Sequence, residues 1–295
     1  MAQQQIQLRK LRDFGENIND TFQFIRQEFK PLLKSFFLIG GVFILAAGVI
    51  NGIYQSQMGN ILDLLMGRKL ESDGMNNLSR IINPTYFLVI VSSLINLIAM
   101  RVTIASYLKI YDQKGISPEF IEVWTEFKRY FLLILLYCFL LWILLIVGFI
   151  LCIAPFVWLA TVFAPFELVV VIENESLGGA FNRCFTIIRE NFWNSLLIYV
   201  VAYLIYSFSS GIISFFAALV AGVIAYFTTR DTHSTVGIAT GILNIFSFSF
   251  YIIFYVSVGM QYFNLAERTD GTGIRRRLEK LGSGQEPDHA SEEQY

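Results

Sequence analysis

Charged residues, proline, cysteine and histidine are all scarce in this 295-residue sequence. Only 15% of the residues are charged, whereas a soluble domain usually carries about 25%, so the chain is short of the groups needed to cover a water-facing surface. The net charge of −1 provides no globally basic surface of the kind that binds nucleic acid. The composition therefore argues against a soluble enzyme and against a nucleic-acid-binding protein.

The few cysteines and histidines predict neither a disulfide framework nor a metal site. Cys138, Cys152 and Cys184 are scattered, and we interpret them as small hydrophobic residues. His233 and His289 lack the neighbouring ligands that zinc requires. The sequence contains no glycine-rich turn followed by Lys-Ser or Lys-Thr, and no cluster of Asp, His or Ser at one membrane depth. We therefore expect no cofactor and no catalytic activity.

Long apolar runs are abundant instead, in a chain that is 55% hydrophobic and 16% aromatic. A membrane-spanning helix needs about 20 mostly apolar residues. The 43-residue run Tyr130–Ile172 is long enough for two crossings, and it should break near Cys152–Pro155 because proline lacks the amide hydrogen that a helix interior needs. The runs predict spans at residues 36–54, 86–107, 130–151, 154–172, 193–229 and 236–263.

The distribution of basic residues decides the number of spans, because Trp193–Thr229 is long enough to be one span or two. With six spans, 17 Lys and Arg residues lie in cytoplasmic segments and four lie in outer loops. A seventh span would move five basic residues of the C-terminus outside, so the positive-inside rule favours six. The prediction is an all-α membrane bundle with a cytoplasmic segment 1–35, a six-span domain 36–264 and a largely disordered cytoplasmic tail 265–295.

An internal repeat is predicted from three amphipathic segments, each of which precedes two spans. The first is Phe14–Phe37, the second begins with Ser117 as N-cap and Pro118 at the first helical position, and the third follows Asn174. The chain would then consist of three units of cytoplasmic interfacial helix plus transmembrane hairpin. The alternative is that any amphipathic helix before a span resembles another. These helices could lie among lipid headgroups or pack beneath the bundle as a collar.

Arg101 and Glu167 are charged residues inside predicted spans, where charges are costly and are candidates for function. Each lies about a turn and a half before the inner end of its span, so the two should lie at similar depth. We expect them to form an intramembrane ion pair. A structural pair, an Arg101 side chain that extends to the membrane surface, and a role in transport or proton relay all remain open.

Two further stretches resemble one bacterial membrane family. The first runs from Glu173 to Trp193 and carries an acidic residue, glycines, an alanine, an arginine and a Phe-Trp pair; the second runs from Gln261 to Gly271. They are similar to the membrane domain of glycerophosphoryl diester phosphodiesterase fusions and its uncharacterised YciC-like relatives. The matching positions are Glu173, Ala180, Arg183, Phe192, Trp193, Tyr262, Leu265, Arg268 and Gly271. Cys184 departs from the family, which tends to have serine there.

The resemblance implies a six-span fold in the bacterial cytoplasmic membrane, with both termini cytoplasmic. It implies no phosphodiesterase activity, because the catalytic domain of the fused members is a separate barrel. We expect a non-catalytic scaffold or lipid-associated component of a membrane assembly. Its expected partners are membrane lipids, including anionic headgroups at the inner surface, and other membrane proteins. The alternatives are a subunit of a small-solute or lipid transporter or channel, and a membrane-embedded enzyme of lipid metabolism.

Overall fold

The computed structural model describes residues 5–65, 84–228, 248–271 and 275, and every regular element within them is a helix. The part of the sixth predicted span before residue 248 lies outside the described residues, as do residues 272–274 and 276–295 of the predicted tail. In chain order the α-helices are α1 Phe14–Gln27, α2 Phe29–Ser35, α3 Gly41–Leu65, α4 Pro84–Lys114, α5 Phe120–Leu151, α6 Ile153–Phe163, α7 Phe166–Glu173, α8 Leu177–Ile188, α9 Phe192–Thr228 and α10 Tyr251–Asp270.

The N-terminal amphipathic segment is not the single helix Phe14–Phe37 that its periodicity predicts. α1 begins at a capping box, in which Asp13 accepts a hydrogen bond from the Glu16 N–H and the Glu16 carboxylate accepts one from the Asp13 N–H. The helix stops at Glu28 because Pro31 has no N–H to donate to the carbonyl four residues earlier. α2 then leads through one π-helical turn, Phe36–Gly40, into α3.

The second amphipathic segment and its span form one helix, α5. It begins two residues later than expected, with Glu119 rather than Ser117 at the N-cap, because the Glu122 carboxylate accepts a hydrogen bond from the Glu119 N–H at 3.3 Å. α5 ends at Leu151, and the extended residue Cys152 turns the chain directly into α6. The pair therefore makes a tight hairpin, and Pro165 later divides α6 from α7.

The long apolar run after residue 192 is a single helix. α9 runs without a break from Phe192 to Thr228, so the run that could have formed one span or two is one helix. At the other end of the chain, α10 extends to Asp270 and is capped by Gly271 in the left-handed conformation, at φ +59°. Residues 265–270, at the start of the predicted tail, are therefore helical.

Five helical stretches in the described part of the chain are long and apolar enough to cross a membrane, which indicates a multi-pass helical membrane protein. They are Phe29–Tyr54, Pro84–Lys114, Phe120–Leu151, Ile153–Glu173 and Leu177–Phe216. α4 lies at the centre and packs against α3, α5, α7 and α10. Large apolar side chains such as Leu132, Phe149 and Phe208 are exposed on the outside of the bundle, as expected for a surface that contacts acyl chains.

Candidate functional site

A buried charged cluster lies inside the bundle where α4, α7 and α10 meet. Arg101 Nη1 on α4 donates to Glu167 Oε1 on α7 at 2.9 Å. Arg101 Nε donates to Tyr251 Oη at 2.7 Å, and Tyr255 Oη donates to Glu167 Oε2 at 3.3 Å. Cys138 of α5 donates a weaker hydrogen bond to Glu167 Oε1, with its sulfur at 3.7 Å. The structure therefore brings together the two charges that the sequence singled out.

The two members of this pair differ in their exposure. The Glu167 side chain is 3% exposed, whereas that of Arg101 is 24% exposed. The guanidinium also lies over the Tyr255 ring, 5.5 Å from its centroid, which adds a cation–π contact. Arg101 lies eight residues, or about 12 Å of helix, before Lys109 in the C-terminal part of α4. The pair is thus well inside the bundle, with the carboxylate enclosed and one edge of the cation open.

The two family-like stretches meet at one end of the bundle, through a second cluster. Arg183 Nε on α8 donates to both oxygens of Glu173, at 3.1 and 2.9 Å. On its other side Arg183 donates two hydrogen bonds to Asp270 at the end of α10, one of them at 3.1 Å. Tyr262 Oη donates to Glu173 Oε1 at 2.8 Å. The motif residues Glu173, Arg183 and Tyr262, together with Asp270, therefore connect α8 and α10 to the end of α7.

The other motif residues have separate structural positions. Ala180 and Leu265 are buried in the core, whereas Trp193 is 78% exposed and Phe192 is half-buried. Arg268 donates to the carbonyl of Arg12, and Gly271 ends α10. The exposed Trp193 at the start of α9 occupies the position of an interfacial aromatic residue.

A third cluster surrounds Lys109, a residue that the sequence gave no reason to select. Its side chain is 6% exposed and donates to Glu126 at 2.7 Å, to Tyr130 at 3.1 Å and to Asn174 at 3.2 Å. Asn174 adopts the left-handed conformation, at φ 56°, and so ends α7 while its side chain accepts from Lys109 and Tyr130. The only sequence signal was Asn174 itself, a residue type that favours such helix ends.

Glu28 is a buried carboxylate with a single hydrogen-bond donor among the described residues, Tyr107 Oη at 2.5 Å. The sequence Glu28-Phe29-Lys30 is similar to Glu126-Phe127-Lys128 of the second amphipathic segment. Both glutamates contact the C-terminal half of α4, where Glu28 contacts Tyr107 and Glu126 contacts Lys109. The two glutamates thus contact the same turn of the central helix.

The amphipathic segments pack part of their apolar residues against the core and expose the rest. Asn17 and Glu28 are buried in the first segment, whereas Phe22 is 42% exposed and Phe29 is 54% exposed. In α5, Ile121 is 69% exposed. The predicted apolar residues of the first segment that pack against the core are Phe14, Ile18, Ile25 and Leu33. Most of its predicted apolar face therefore contacts the bundle, and Phe22 and Phe29 remain on the exposed surface.

The side chains of these clusters interact through ion pairs and hydrogen bonds. Within residues 5–65, 84–228 and 248–271, no group of three or more His, Cys, Asp or Glu is placed to hold a metal ion. Cys138 and Cys184 are buried, and Cys152 is exposed at the α5–α6 turn.

Comparisons with family models, curated proteins and solved structures found no match to this chain.

Proposed function

We propose that this protein is a non-catalytic component of a bacterial cytoplasmic membrane assembly, acting as a scaffold or as a lipid-associated partner. The observation that carries the proposal is a set of large apolar side chains that the amphipathic segments leave exposed. Phe22, Phe29 and Ile121 are exposed close to the charged end of the bundle, although other apolar residues of the same segments pack against the core. Such a surface suits contact with lipid or with another membrane protein.

The proposed topology has six spans, in three units of interfacial helix plus hairpin, with both termini in the cytoplasm. Its support is the excess of basic residues in one set of segments and the continuity of α9 from Phe192 to Thr228. The contacts of Glu28 and Glu126 with α4 support the repeat. We also propose membership of the phosphodiesterase-associated membrane-domain family, supported by the joining of its two motif stretches through Arg183.

The second candidate function is a subunit of a small-solute or lipid transporter or channel. The observation that favours it is the open edge of Arg101, because a charge inside a membrane usually marks a pathway or a relay. A purely structural pair would be expected to have both members enclosed.

Purification of the full chain with its native lipids, followed by mass spectrometry, tests the first proposal. A protein that co-purifies in stoichiometric amount, or a retained lipid class, is the expected result. A monodisperse lone protein, free of bound lipid, whose reconstitution into vesicles yields solute flux would contradict the scaffold and support the transporter.

The topology is tested separately with a cysteine introduced at Ser283 in the tail of a Cys152→Ser background. An impermeant thiol reagent added to intact cells should leave it unlabelled and should label it after permeabilisation. Labelling in intact cells would contradict the six-span arrangement. The same reagent on a cysteine at Asn76 in the first outer loop is the positive control, since that position should react in intact cells.

A further inference from the structure

A line of polar residues runs along the face of α9 that packs against α10. Ser195, Tyr199, Tyr206 and Ser210 follow one another at intervals of four or seven residues, so they share one helical face. Ser195 and Tyr199 are buried, whereas Tyr206 and Ser210 are half-buried. The Tyr206 ring contacts the Tyr251 ring edge to face, with the centroids 5.6 Å apart. The line therefore begins at buried positions near the start of α9 and continues to positions where α9 is only partly covered.

The burial of the central helix α4 also changes along its length. No residue in 84–95 is buried, whereas nearly every residue in 96–111 is buried. α10 packs against both α4 and α9, and residues 248–250, which precede it, are half-buried. The three helices thus enclose a packed half near the charged end and leave a more open half at the other end. Arg101 lies just inside the boundary between the two halves.

Hydrogen-bond donors exceed acceptors at this boundary. Arg101 uses Nε and Nη1 for Tyr251 and Glu167, and Nη2 donates to no described residue. Tyr251 is 5% exposed, and its oxygen accepts from Arg101 while its own hydroxyl hydrogen is donated to no residue in the described ranges. Buried donors in native proteins nearly always have an acceptor. Two neighbouring donors are therefore available to an acceptor from outside the described chain.

We propose that Arg101 and Tyr251 form the floor of an aqueous entrance between α4, α9 and α10, and that they bind a small oxyanion there. The entrance opens at the end of the bundle opposite Lys109 and Arg183, with Tyr206 and Ser210 on its wall. The ligand is a carboxylate or phosphate group, which accepts hydrogen bonds from Arg101 Nη2 and from the Tyr251 hydroxyl. This site goes beyond the proposed scaffold role, which assigns no ligand to the membrane interior.

The arrangement of the pair favours an anion over a cation. Glu167 is enclosed behind Arg101, so the positive pole of the pair faces the open half. Tyr255 donates to Glu167 and thereby occupies the carboxylate oxygen that Arg101 does not contact. Acyl chains would cover the open edge of a guanidinium only at high cost, whereas water or an anion would satisfy it. Arginine is also the side chain best suited to carboxylate and phosphate groups.

The entrance is tested first by the pattern of cysteine accessibility in the full chain, reconstituted in nanodiscs of zwitterionic phosphatidylcholine. In a Cys152→Ser background, cysteines at Tyr206 and Ser210 are compared with cysteines at Leu204 and Phe208, which are exposed on the outer surface of the same helix. A positively charged thiol reagent should label the first two at least about tenfold faster, because charged reagents do not partition into acyl chains. Equal rates at all four positions would overturn the entrance.

The anion site is tested by protection of the Tyr206→Cys position with sodium phosphate, against sodium chloride at equal ionic strength. Phosphate should slow labelling in a saturable manner, and Arg101→Gln should abolish the protection. Because Arg101→Gln also breaks the ion pair, Tyr251→Phe is the decisive variant: it keeps the ring, removes one donor and should weaken phosphate protection about tenfold. Tyr255→Phe is the matched control and should leave protection unchanged, since its hydroxyl is directed to Glu167.

Two outcomes would overturn the anion site: absence of phosphate protection in the parent protein, or equal protection in Tyr251→Phe and the parent. A parallel experiment in nanodiscs containing phosphatidylglycerol, without free phosphate, distinguishes the source of the oxyanion. Protection there that requires Arg101 and Tyr251 supports the same site with a lipid phosphate as its ligand.

Discussion

The side-chain amide of Asn264 pairs with the backbone of Arg12, 252 residues earlier in the chain. Asn264 Oδ1 accepts from the Arg12 N–H at 2.9 Å, and Asn264 Nδ2 donates to the Arg12 carbonyl at 3.1 Å. The Arg12 side chain is itself buried and contacts Asp20 and the Leu8 carbonyl, at 2.7 Å each. An extended N-terminal segment is thereby fixed against the last helix by hydrogen bonds equivalent to those of a backbone pair.

We therefore predict that Asn264→Leu loosens the N-terminal segment. The substitution leaves two buried backbone groups of Arg12 with fewer partners, and it should lower the free energy of unfolding by about 1–3 kcal/mol. Limited proteolysis should cut before Phe14 faster in the variant than in the parent. Asn182→Leu, at an exposed position of α8, is the control and should change stability by less than about 0.5 kcal/mol. Equal proteolysis of Asn264→Leu and the parent would contradict the prediction.

The Arg101–Glu167 pair should be energetically coupled. Arg101→Ala leaves a buried carboxylate without its cation, at an expected cost of about 3–5 kcal/mol. Adding Glu167→Ala should recover part of this loss, because the double variant no longer contains an unpaired buried charge. A double-mutant cycle on unfolding in detergent measures the coupling. Strict additivity of the two changes would show that the residues act independently.

Arg183 should stabilise the charged end of the bundle more than an exposed ion pair does. It contacts two carboxylates, and its side chain is 19% exposed, so we expect Arg183→Ala to cost about 1–3 kcal/mol. The Lys10–Glu16 pair is nearly half exposed on both sides, and Lys10→Ala should change stability by less than about 0.5 kcal/mol. Thermal unfolding of both variants gives the comparison. A loss for Lys10→Ala as large as that for Arg183→Ala would contradict this ranking.

The Tyr107 hydroxyl should matter because it donates to a buried carboxylate. Tyr107→Phe removes the one described donor to Glu28 and should cost about 1–3 kcal/mol. Tyr199→Phe is a matched control, since the Tyr199 hydroxyl is buried and has no hydrogen-bond partner among the described residues. Removing an unsatisfied hydroxyl should be neutral or stabilising. The order of the two unfolding temperatures checks the prediction, and a greater loss in Tyr199→Phe would refute it.

Local features of the sequence predicted much of the helical layout. Apolar runs predicted membrane-spanning helices, and the Cys152–Pro155 region predicted the α5–α6 turn. Both signals are local, because the length of an apolar run and the effect of a proline on a helix depend on one segment of the chain. The sequence analysis missed the start of α5, because Ser117 and Glu119 can both act as N-cap residues. It also missed the break at Glu28, which follows from the missing N–H of Pro31. The apolar face of the N-terminal segment was predicted in part: most of it packs against the core, whereas Phe22 and Phe29 are exposed.

The sequence by itself determined that this is a helical membrane protein, because burying backbone groups in lipid requires helices and long apolar runs. It also brought Arg101 and Glu167 into consideration, since depth in a membrane follows from position along a span. Only the tertiary structure decided that Lys109 reaches Glu126 and Asn174, that Asn264 pairs with Arg12, and that Arg101 keeps an open edge. These contacts depend on how helices far apart in sequence rotate and tilt against each other. Such packing arises from the sum of many weak contacts, and no single segment encodes it.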